Sequence, residues 1–314
     1  MREKQRGATN TKGSRLSRGT LKRNISLYIM LIIPFAYFGL FKYAPIYGIS
    51  AAFKDYNIFL GLKDSPWVGL KHFRRVFSSP SFFIALKNTI ILNLGDLLFT
   101  FPVPIFLAIL LNELKHEKFS KNVERIMYLP HFLSMVIIAG IVYQVFSPSG
   151  FINALLGKLF GTNPIPFLTN PVHWRITYWF ASIWMGAGYG MIIYLAAMGG
   201  INRELYDAAY IDGAGRFGRI YHVTLPQLKP TIITMVILNV GKILSIGFER
   251  PFLLGNVLVD DASLVISVYV YKMGLQAGMY DYATAVGLFQ SVVGLIMVVL
   301  ANSLAKKMGE EGLF

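Results

Sequence analysis

Long apolar stretches separated by short polar segments recur along the chain. A helix needs roughly 20 apolar residues to cross the hydrocarbon core of a bilayer. Glycine and proline interrupt several of the stretches, which membrane helices tolerate because neighbouring groups satisfy the freed backbone. The pattern predicts an all-α integral membrane protein with six transmembrane helices. Their approximate positions are residues 25–43, 84–111, 126–146, 174–199, 231–248 and 283–304.

Composition agrees with a membrane protein. Of the 314 residues 54% are hydrophobic and only 15% are charged, whereas about 25% charged residues is typical of a soluble domain. The absence of cysteine excludes disulfides, thiolate chemistry and cysteine zinc sites. The formal net charge of +14 suits either nucleic acid or an anionic membrane surface, so the placement of the charges decides.

The basic residues predict the orientation. Residues 1–24 form a basic tail, and lysine and arginine favour the cytoplasmic side of a membrane. With both termini in the cytoplasm, the segments 112–125 and 200–230 and the C-terminal tail also lie inside, which puts 18 of the 30 basic residues on that side. We expect the tail to lie near anionic lipid rather than nucleic acid, because no aromatic platform is interleaved with its charges. A cleaved signal peptide is the weaker reading, since the apolar run is long and no convincing cleavage site follows it.

A glycine motif in segment 200–230 invites a nucleotide-binding interpretation. Residues 213–218, GAGRFG, match the G-x-G-x-x-G string. A dinucleotide site needs a preceding strand and an acidic residue about 20 positions later. Here the preceding residues have helical periodicity, and no acidic residue follows until Glu249. We therefore expect no nucleotide at these glycines.

The same segment instead predicts two short helices joined by a turn. Asn202 is a suitable N-cap, with Glu204 in the first turn, where the helix dipole favours negative charge. Gly213 suits the position that ends the helix, and a second short helix over 216–223 then leads to Leu225. Small residues would let another surface approach closely. An ordinary connecting loop is the alternative.

The spacing of this segment is similar to a known motif. Asp207-Ala208-Ala209 is followed by Gly213 after three residues and, further on, by Val223 and Leu225-Pro226. This resembles the EAA loop of the permease subunits of binding-protein-dependent ABC importers. The resemblance implies a type I ABC importer permease fold and a coupling loop at 201–226 that docks on a separate ATPase. The implied coupling residues are Glu204, Asp207, Ala208, Ala209, Asp212, Gly213, Leu225 and Pro226.

Other strings extend the resemblance over most of the chain. YAPIYGISAAFKDYN at 43–57 and WVGLKHFRRVF at 67–77 are similar to the first external loop of carbohydrate permeases. GFERPFLLGNVLV at 247–259 resembles their segment after span five, and the final GEEGLF resembles the ending of LplB-like, polysaccharide-type permeases. The resemblance implies an oligosaccharide substrate. It also implies a cell-membrane location and a permease domain at 25–305, between the basic tail and a C-terminal tail at 306–314.

The sequence lacks the motifs of an enzyme. It has no P-loop, nucleophile elbow or H-E-x-x-H motif, and its five histidines lack metal-ligand spacing. We expect no cofactor or metal on this chain, and ATP with Mg²⁺ on a partner. The resemblance implies an ABC ATPase dimer, a second homologous permease, commonly forming a heterodimer, and an extracytoplasmic solute-binding protein as partners.

Polar residues within the apolar stretches are candidates for a substrate path, since sugars bind through hydrogen bonds and aromatic faces. Residues of the fourth stretch share one face, and so do residues of the fifth. Helix packing is the alternative for each of them. The candidates are Gln144, Ser182, Trp184, Gly186, Tyr189, Asn239, Lys242, Ile246 and Gln290.

Two charges within the stretches stand apart, because a charge in a span is costly and usually faces a cavity or a partner. Lys242 could pair with Glu249 or meet an anionic sugar, and Asp96 is a similar case. An ATP-independent secondary transporter would use such charges for coupling, although no convincing internal repeat is present. That class and an ABC permease for a non-sugar solute remain the alternatives.

Overall fold

The computed structural model describes residues 25–114 and 116–307. The predicted basic tail and residues 308–314 of the predicted C-terminal tail lie outside the described residues, as does Lys115. The predicted domain boundaries therefore stay predictions.

The described part of the chain is helical and contains no strand beyond one isolated antiparallel bridge between Lys54 and Trp67. We number the α-helices in chain order. The first nine are α1 (Ile25–Phe38), α2 (Gly61–Asp64), α3 (Lys71–Phe77), α4 (Pro80–Gly95), α5 (Pro102–Asn112), α6 (Glu117–Tyr128), α7 (Met135–Phe146), α8 (Phe151–Phe160) and α9 (Pro171–Gly199). They are followed by α10 (Arg203–Ile211), α11 (Arg216–Arg219), α12 (Leu225–Gly241), α13 (Glu249–Leu254), α14 (Asp260–Ser263), α15 (Ile266–Val270) and α16 (Tyr280–Lys307).

Tighter and wider helical turns connect several of these helices. Turns of 3₁₀ type cover Ala44–Phe53, Leu129–Phe132 and Val257–Val259. Turns of π type cover Gly39–Tyr43, Asp96–Thr100, Ile220–Thr224 and Tyr271–Gln276. Because a π turn inserts into a helix without ending it, α4 runs on through α5, and α11 runs on into α12.

Six helical runs in the described residues are long and apolar enough to cross a membrane, which confirms the predicted all-α architecture and its number of spans. The runs also extend beyond several predicted bounds, by ten or more residues at the end of the first and third spans and at the start of the fifth. At the start of the third span and the end of the fifth, the prediction places helix across a break. The runs are Ile25–Phe53, Pro80–Asn112, Met135–Phe160, Pro171–Gly199, Arg216–Gly241 and Tyr280–Lys307.

The predicted start of the third span at 126 is wrong. Residues 126–128 belong to α6, and Pro130 lies in the 3₁₀ turn that follows α6. The helix restarts only at α7, whose N-cap Ser134 accepts a hydrogen bond from the Ile137 amide at 3.4 Å. The run then continues through a turn into α8 and ends at Phe160.

The predicted end of the fifth span at 248 is also wrong, because α12 ends at Gly241 and helix resumes only at Glu249. Carbonyls in this break find donors on other helices. Asn93 Nδ2 donates to the Ile243 carbonyl at 2.8 Å, and the Gln290 amide donates to the Leu244 carbonyl. Non-helical backbone at membrane depth persists where protein groups satisfy it, so these two side chains support the break.

The chain divides into two compact units after Ser50. In the first unit, α1 is apolar and none of its residues is buried. In the second unit, α9 lies at the centre, and its Trp174 and Tyr178 are among the largest fully buried side chains. The Trp174 indole donates to the Leu254 carbonyl at 2.7 Å, which fixes the end of α13 against α9.

Small residues on α9 allow close packing in the second unit. A Cβ at Gly188 would overlap the Met127 carbonyl, and one at Gly190 would lie 2.9 Å from Pro104 Cγ. A second apolar cluster, formed by α5, α9 and α12, includes Ala108, Met191 and Leu228. Gly188 and Gly190 therefore serve packing, whereas a Cβ at Gly186 would meet open space.

Candidate functional site

The EAA-like segment folds as two helices with local caps at each turn. Asn202 is the N-cap of α10, and its side-chain oxygen accepts a hydrogen bond from the Glu204 amide at 3.1 Å. The Asn202 amide group in turn donates to the Glu204 carboxylate at 3.0 Å. The first bond satisfies a backbone donor at the start of the helix, where intrahelical partners are lacking, and the second holds the Asn202 side chain in place. The predicted cap is confirmed.

Gly213 ends α10 in the left-handed conformation, with φ of +76°. Its amide donates to the Tyr210 carbonyl at 3.0 Å, and the next amide, of Ala214, donates to the Ala209 carbonyl at 2.9 Å. This is the Schellman arrangement, in which a glycine at C′ avoids the steric cost of a left-handed Cβ. The glycine of the EAA-like motif thus fixes the turn between α10 and α11.

A side-chain contact holds α10 against the start of the fifth span. The Tyr206 hydroxyl lies 3.0 Å from Thr224 Oγ1, in the π turn that joins α11 to α12. Thr224 is buried and Tyr206 is half-buried. Because α11 continues into α12 without a break, a displacement of α10 can be transmitted to the spanning helix.

The predicted coupling residues mostly face outward in the described structure. Six of the eight are exposed and two are half-buried, so the segment is accessible to another protein. The exposed residues are Glu204, Asp207, Ala208, Asp212, Gly213 and Pro226, and the half-buried ones are Ala209 and Leu225.

Four exposed apolar side chains surround these residues and were missed by sequence reasoning. We call Tyr210, Ile211, Phe217 and Tyr221 the coupling face; Phe217 has 88% of its surface exposed. Apolar side chains at the ends of a short helix rich in small and charged residues are the signal that could have identified them. Exposed apolar surface of this kind is typical of interaction sites, so these four side chains are a candidate docking surface.

The described structure has a second polar feature, a cavity of about 190 Å³ beside the break after α12. We call it the charged cavity, because Asp96, Lys242 and Arg250 are its three charged lining residues. Asn93 and Asn239 add amide groups to its wall. A cavity with converging polar groups is the usual form of a ligand site.

The charged cavity contains an ion pair between Asp96 and Arg250. The Arg250 guanidinium donates to Asp96 Oδ2 at 2.5 Å, and Thr100 donates to the other carboxylate oxygen at 3.1 Å. The guanidinium also lies over the Tyr178 ring, 4.3 Å from its centroid. Sequence reasoning found Asp96 but missed Arg250. The feature of the sequence that could have identified Arg250 was a basic residue directly after the predicted fifth span.

Lys242 caps the C-terminal end of α12 and lines the charged cavity. The predicted pair with Glu249 is not among the ion pairs of the described residues, and Lys242 makes no side-chain hydrogen bond or ion pair within them. The expectation that Asn239, Lys242 and Ile246 share one helix face is wrong, because the helix ends at Gly241. The break nevertheless brings all three to the charged cavity.

A neighbouring cavity of about 250 Å³ shares Asp96 and Asn239 with the charged cavity. Gly186 lines it, together with Thr100 and Tyr194. Of the predicted path residues, Gly186, Asn239, Lys242 and Ile246 therefore lie at one of these two cavities.

The other predicted path residues lie outside both cavities. Ser182 is buried and donates to the Tyr178 carbonyl of its own helix at 2.7 Å. The Tyr189 ring stacks on the His131 ring, with 4.1 Å between the ring centroids. Gln290 donates to the Leu244 carbonyl in the break after α12. Trp184 and Gln144 are exposed in this chain. Ser182, Tyr189 and Gln290 thus have structural partners.

One cluster carries metal-ligand side chains. Ligand atoms of Asp55, His72 and Asp281 lie within 4.8 Å of one another. Lys71 already pairs with Asp55 at 3.0 Å, and its hydrogen bond and charge hold the pKa of the Asp55 carboxyl below its usual value. His72 Nε2 lies 3.0 Å from the Lys54 carbonyl and 3.5 Å from Asp281. The Lys71–Asp55 ion pair and the His72–Asp281 contact tie α3 to the start of α16.

Comparison with known families adds to this geometry. The sequence profile of the family "Binding-protein-dependent transport system inner membrane component" matches residues 87–310. The polygalacturonan/rhamnogalacturonan transport system permease protein YteP of Bacillus subtilis (strain 168) is 46% identical over 289 residues, which cover 92% of this chain and 90% of YteP. Protein LplB of the same organism is 44% identical over 295 residues, which cover 94% of this chain and 92% of LplB.

Solved structures give the same relationship. A chain of a bacterial alginate ABC transporter, in complex with alginate pentasaccharide-bound periplasmic protein, matches with a TM-score of 0.86 and 40% identity, covering 95% of this chain and 100% of that one. A chain of a bacterial ABC transporter involved in the import of the acidic polysaccharide alginate matches with a TM-score of 0.84 and 41% identity. The match covers 92% of this chain and 98% of that one.

Proposed function

The chain belongs to the family of binding-protein-dependent transport system inner membrane components, and we propose that it forms half of the path by which an acidic oligosaccharide enters the cell. It is a multi-pass membrane permease of a sugar ABC importer rather than an enzyme. The acidic substrate, the partners and the coupling contact are the parts we propose.

The coupling face carries this proposal. Tyr210, Ile211 and Phe217 are exposed apolar side chains on short capped helices, and α11 continues into a spanning helix. Such a surface fits a groove of an ATPase subunit that binds ATP and Mg²⁺, because burial of the apolar side chains stabilises the contact. Movement of the groove would then shift α12 and the walls of both cavities. In this arrangement the coupling face lies in the cytoplasm.

The relatives support the rest of the assembly. YteP is named for galacturonan transport, and the alginate transporter is described with a periplasmic protein that carries the oligosaccharide. We infer that this chain pairs with a second, homologous permease as a heterodimer. The pair then receives an oligosaccharide with carboxylate groups from a solute-binding protein on the other side of the membrane.

The test is co-purification from membranes after gentle extraction, with the companions identified by mass spectrometry. The parent chain should bring down an ATPase and a second permease. Phe217→Ser should lose the ATPase and keep the permease. Phe59→Ser is the matched control, since Phe59 is 94% exposed, and it should keep both. A chain that purifies alone and transports without ATP would contradict the proposal and favour a secondary transporter.

A further inference from the structure

Lys242 is a cation at the break after α12 that has no counter-charge among the residues that the structure describes. It lines the charged cavity, and among the described residues it makes no ion pair or side-chain hydrogen bond. Charged groups within membrane spans are costly, and they generally pair with each other or face a water-filled path. Lys242 therefore has its charge available to something that enters the cavity.

The other charges of the cavity are already matched. Asp96 is held by Arg250 at 2.5 Å and by Thr100 at 3.1 Å, so its carboxylate has a partner at both oxygens. The Arg250 guanidinium has the carboxylate on one side and the Tyr178 ring at 4.3 Å. The cavity thus keeps one net positive charge, and that charge is carried by Lys242.

The size of the cavity bears on what Lys242 can meet. The volume open to the centre of a water molecule is about 190 Å³, and one water needs roughly 10–15 Å³ on that measure. The cavity therefore has room for a carboxylate and part of one sugar ring. On the same wall, Asn93 donates to the Thr89 and Ile243 carbonyls and Asn239 donates to the Met235 carbonyl. Their side-chain oxygens remain as acceptors for the hydroxyls of such a ring.

We propose that Lys242 is a specificity-determining residue that binds the carboxylate of one uronate unit at a time as the oligosaccharide passes the break after α12. This rests on the proposed function, and it names the Lys242 ammonium as the group that binds the negative charge of the substrate. Because Asp96 pairs with Arg250, Arg250 does not compete with Lys242 for the substrate carboxylate. The path then binds that carboxylate weakly enough to release it. A path with two free cations would hold an acidic sugar more tightly and slow its passage.

A purely structural role for Lys242 is the competing explanation, because a cation at the C-terminal end of a helix is stabilised by the helix dipole. The two roles predict different effects on the transport of charged and uncharged substrates. Loss of a structural cation would lower the transport of every substrate alike. Loss of a carboxylate-binding cation would lower the transport of charged substrates only.

The experiment measures initial uptake in cells in which a plasmid supplies the permease, with the other importer subunits present. The probes are labelled oligouronides prepared from galacturonan and from alginate, each as the free acid and as the fully methyl-esterified form, which lacks the charge. Lys242→Met should lower the uptake of the free acid relative to the ester by roughly 10-fold or more, the factor that corresponds to one charge-assisted hydrogen bond. Lys242→Arg should restore the ratio to within about threefold of the parent, because it keeps the charge.

Lys87→Met is the control, since Lys87 is an exposed lysine of the second span that lines neither cavity. It should leave the ratio of acid to ester uptake unchanged. If Lys242→Met lowered the uptake of the free acid and of the ester by the same factor, the inference would be overturned and the proposed function would stand. A parent that imports neither probe would overturn the proposed acidic substrate, and the inference with it.

Discussion

Asp96 and Arg250 lie 154 positions apart in the chain, yet their carboxylate and guanidinium are 2.5 Å apart. The pair joins the π turn after α4 to the first turn of α13. About four-fifths of each side chain is removed from solvent. The contact therefore fixes the break after α12 to the second span.

Removing one partner of this pair should cost more than removing both. Asp96→Asn leaves the Arg250 charge without its carboxylate, and we expect a loss of about 3 kcal/mol in stability. Asp96→Asn/Arg250→Met removes both charges and should cost less than the single change. The thermal unfolding midpoint of the purified protein in detergent would show the order. If the effects of Asp96→Asn and of Arg250→Met, each measured alone, added up to that of the double variant, the pair would not be coupled.

Gly213→Ala should loosen the end of α10. The left-handed φ of +76° costs an alanine about 1 kcal/mol, so amide hydrogens in the last turn of α10 should exchange roughly fivefold faster. Gly215→Ala is the matched control, because Gly215 has φ of −66° and open space at its Cβ position. Equal exchange in the two variants would mean that the Schellman turn does not hold this helix end.

Gly188→Ala should disrupt the contact between α9 and the end of α6. An added Cβ would overlap the Met127 carbonyl, which is backbone and cannot rotate away. We expect a loss of about 1–3 kcal/mol, the usual cost of overpacking. Gly186→Ala adds the same methyl group to the same helix in open space, and its thermal midpoint should stay near that of the parent. A tolerated Gly188→Ala would show that α6 can shift.

Gln290→Leu should destabilise the break after α12, because the Leu244 carbonyl then loses its side-chain donor. The expected cost is about 1–3 kcal/mol for a buried unsatisfied group. Ser291→Ala is the control, since Ser291 bonds only to the Gly287 carbonyl of its own helix at 2.9 Å. If Gln290→Leu kept full stability and lost transport alone, Gln290 would be a substrate contact instead.

Local signals explain what sequence reasoning predicted well. The caps of α10 depend on Asn202 and Gly213, each of which acts on backbone within a few residues, so a single sequence is enough to place them. The spans follow from long apolar runs, since the bilayer sets their length.

Features that depend on long-range contacts could not be predicted from the sequence. The fifth span ends early because Asn93 and Gln290, from two other helices, satisfy the freed carbonyls of Ile243 and Leu244. Nothing in the apolar pattern of residues 231–248 reveals those donors. The same holds for Arg250, whose partner lies on the second span. The charged cavity could therefore be predicted only in part, through Asp96 and Lys242.

The coupling face has a consequence for the lifetime of newly made chains. Before assembly, Phe217 and its apolar neighbours are open to water, and exposed apolar surface is what chaperones and proteases use to recognise incomplete proteins. If an ATPase docks on the coupling face as proposed, an unassembled permease would display a degradation signal that this docking masks. Turnover of orphan chains would keep the subunits in stoichiometry, independently of how evenly they are synthesised.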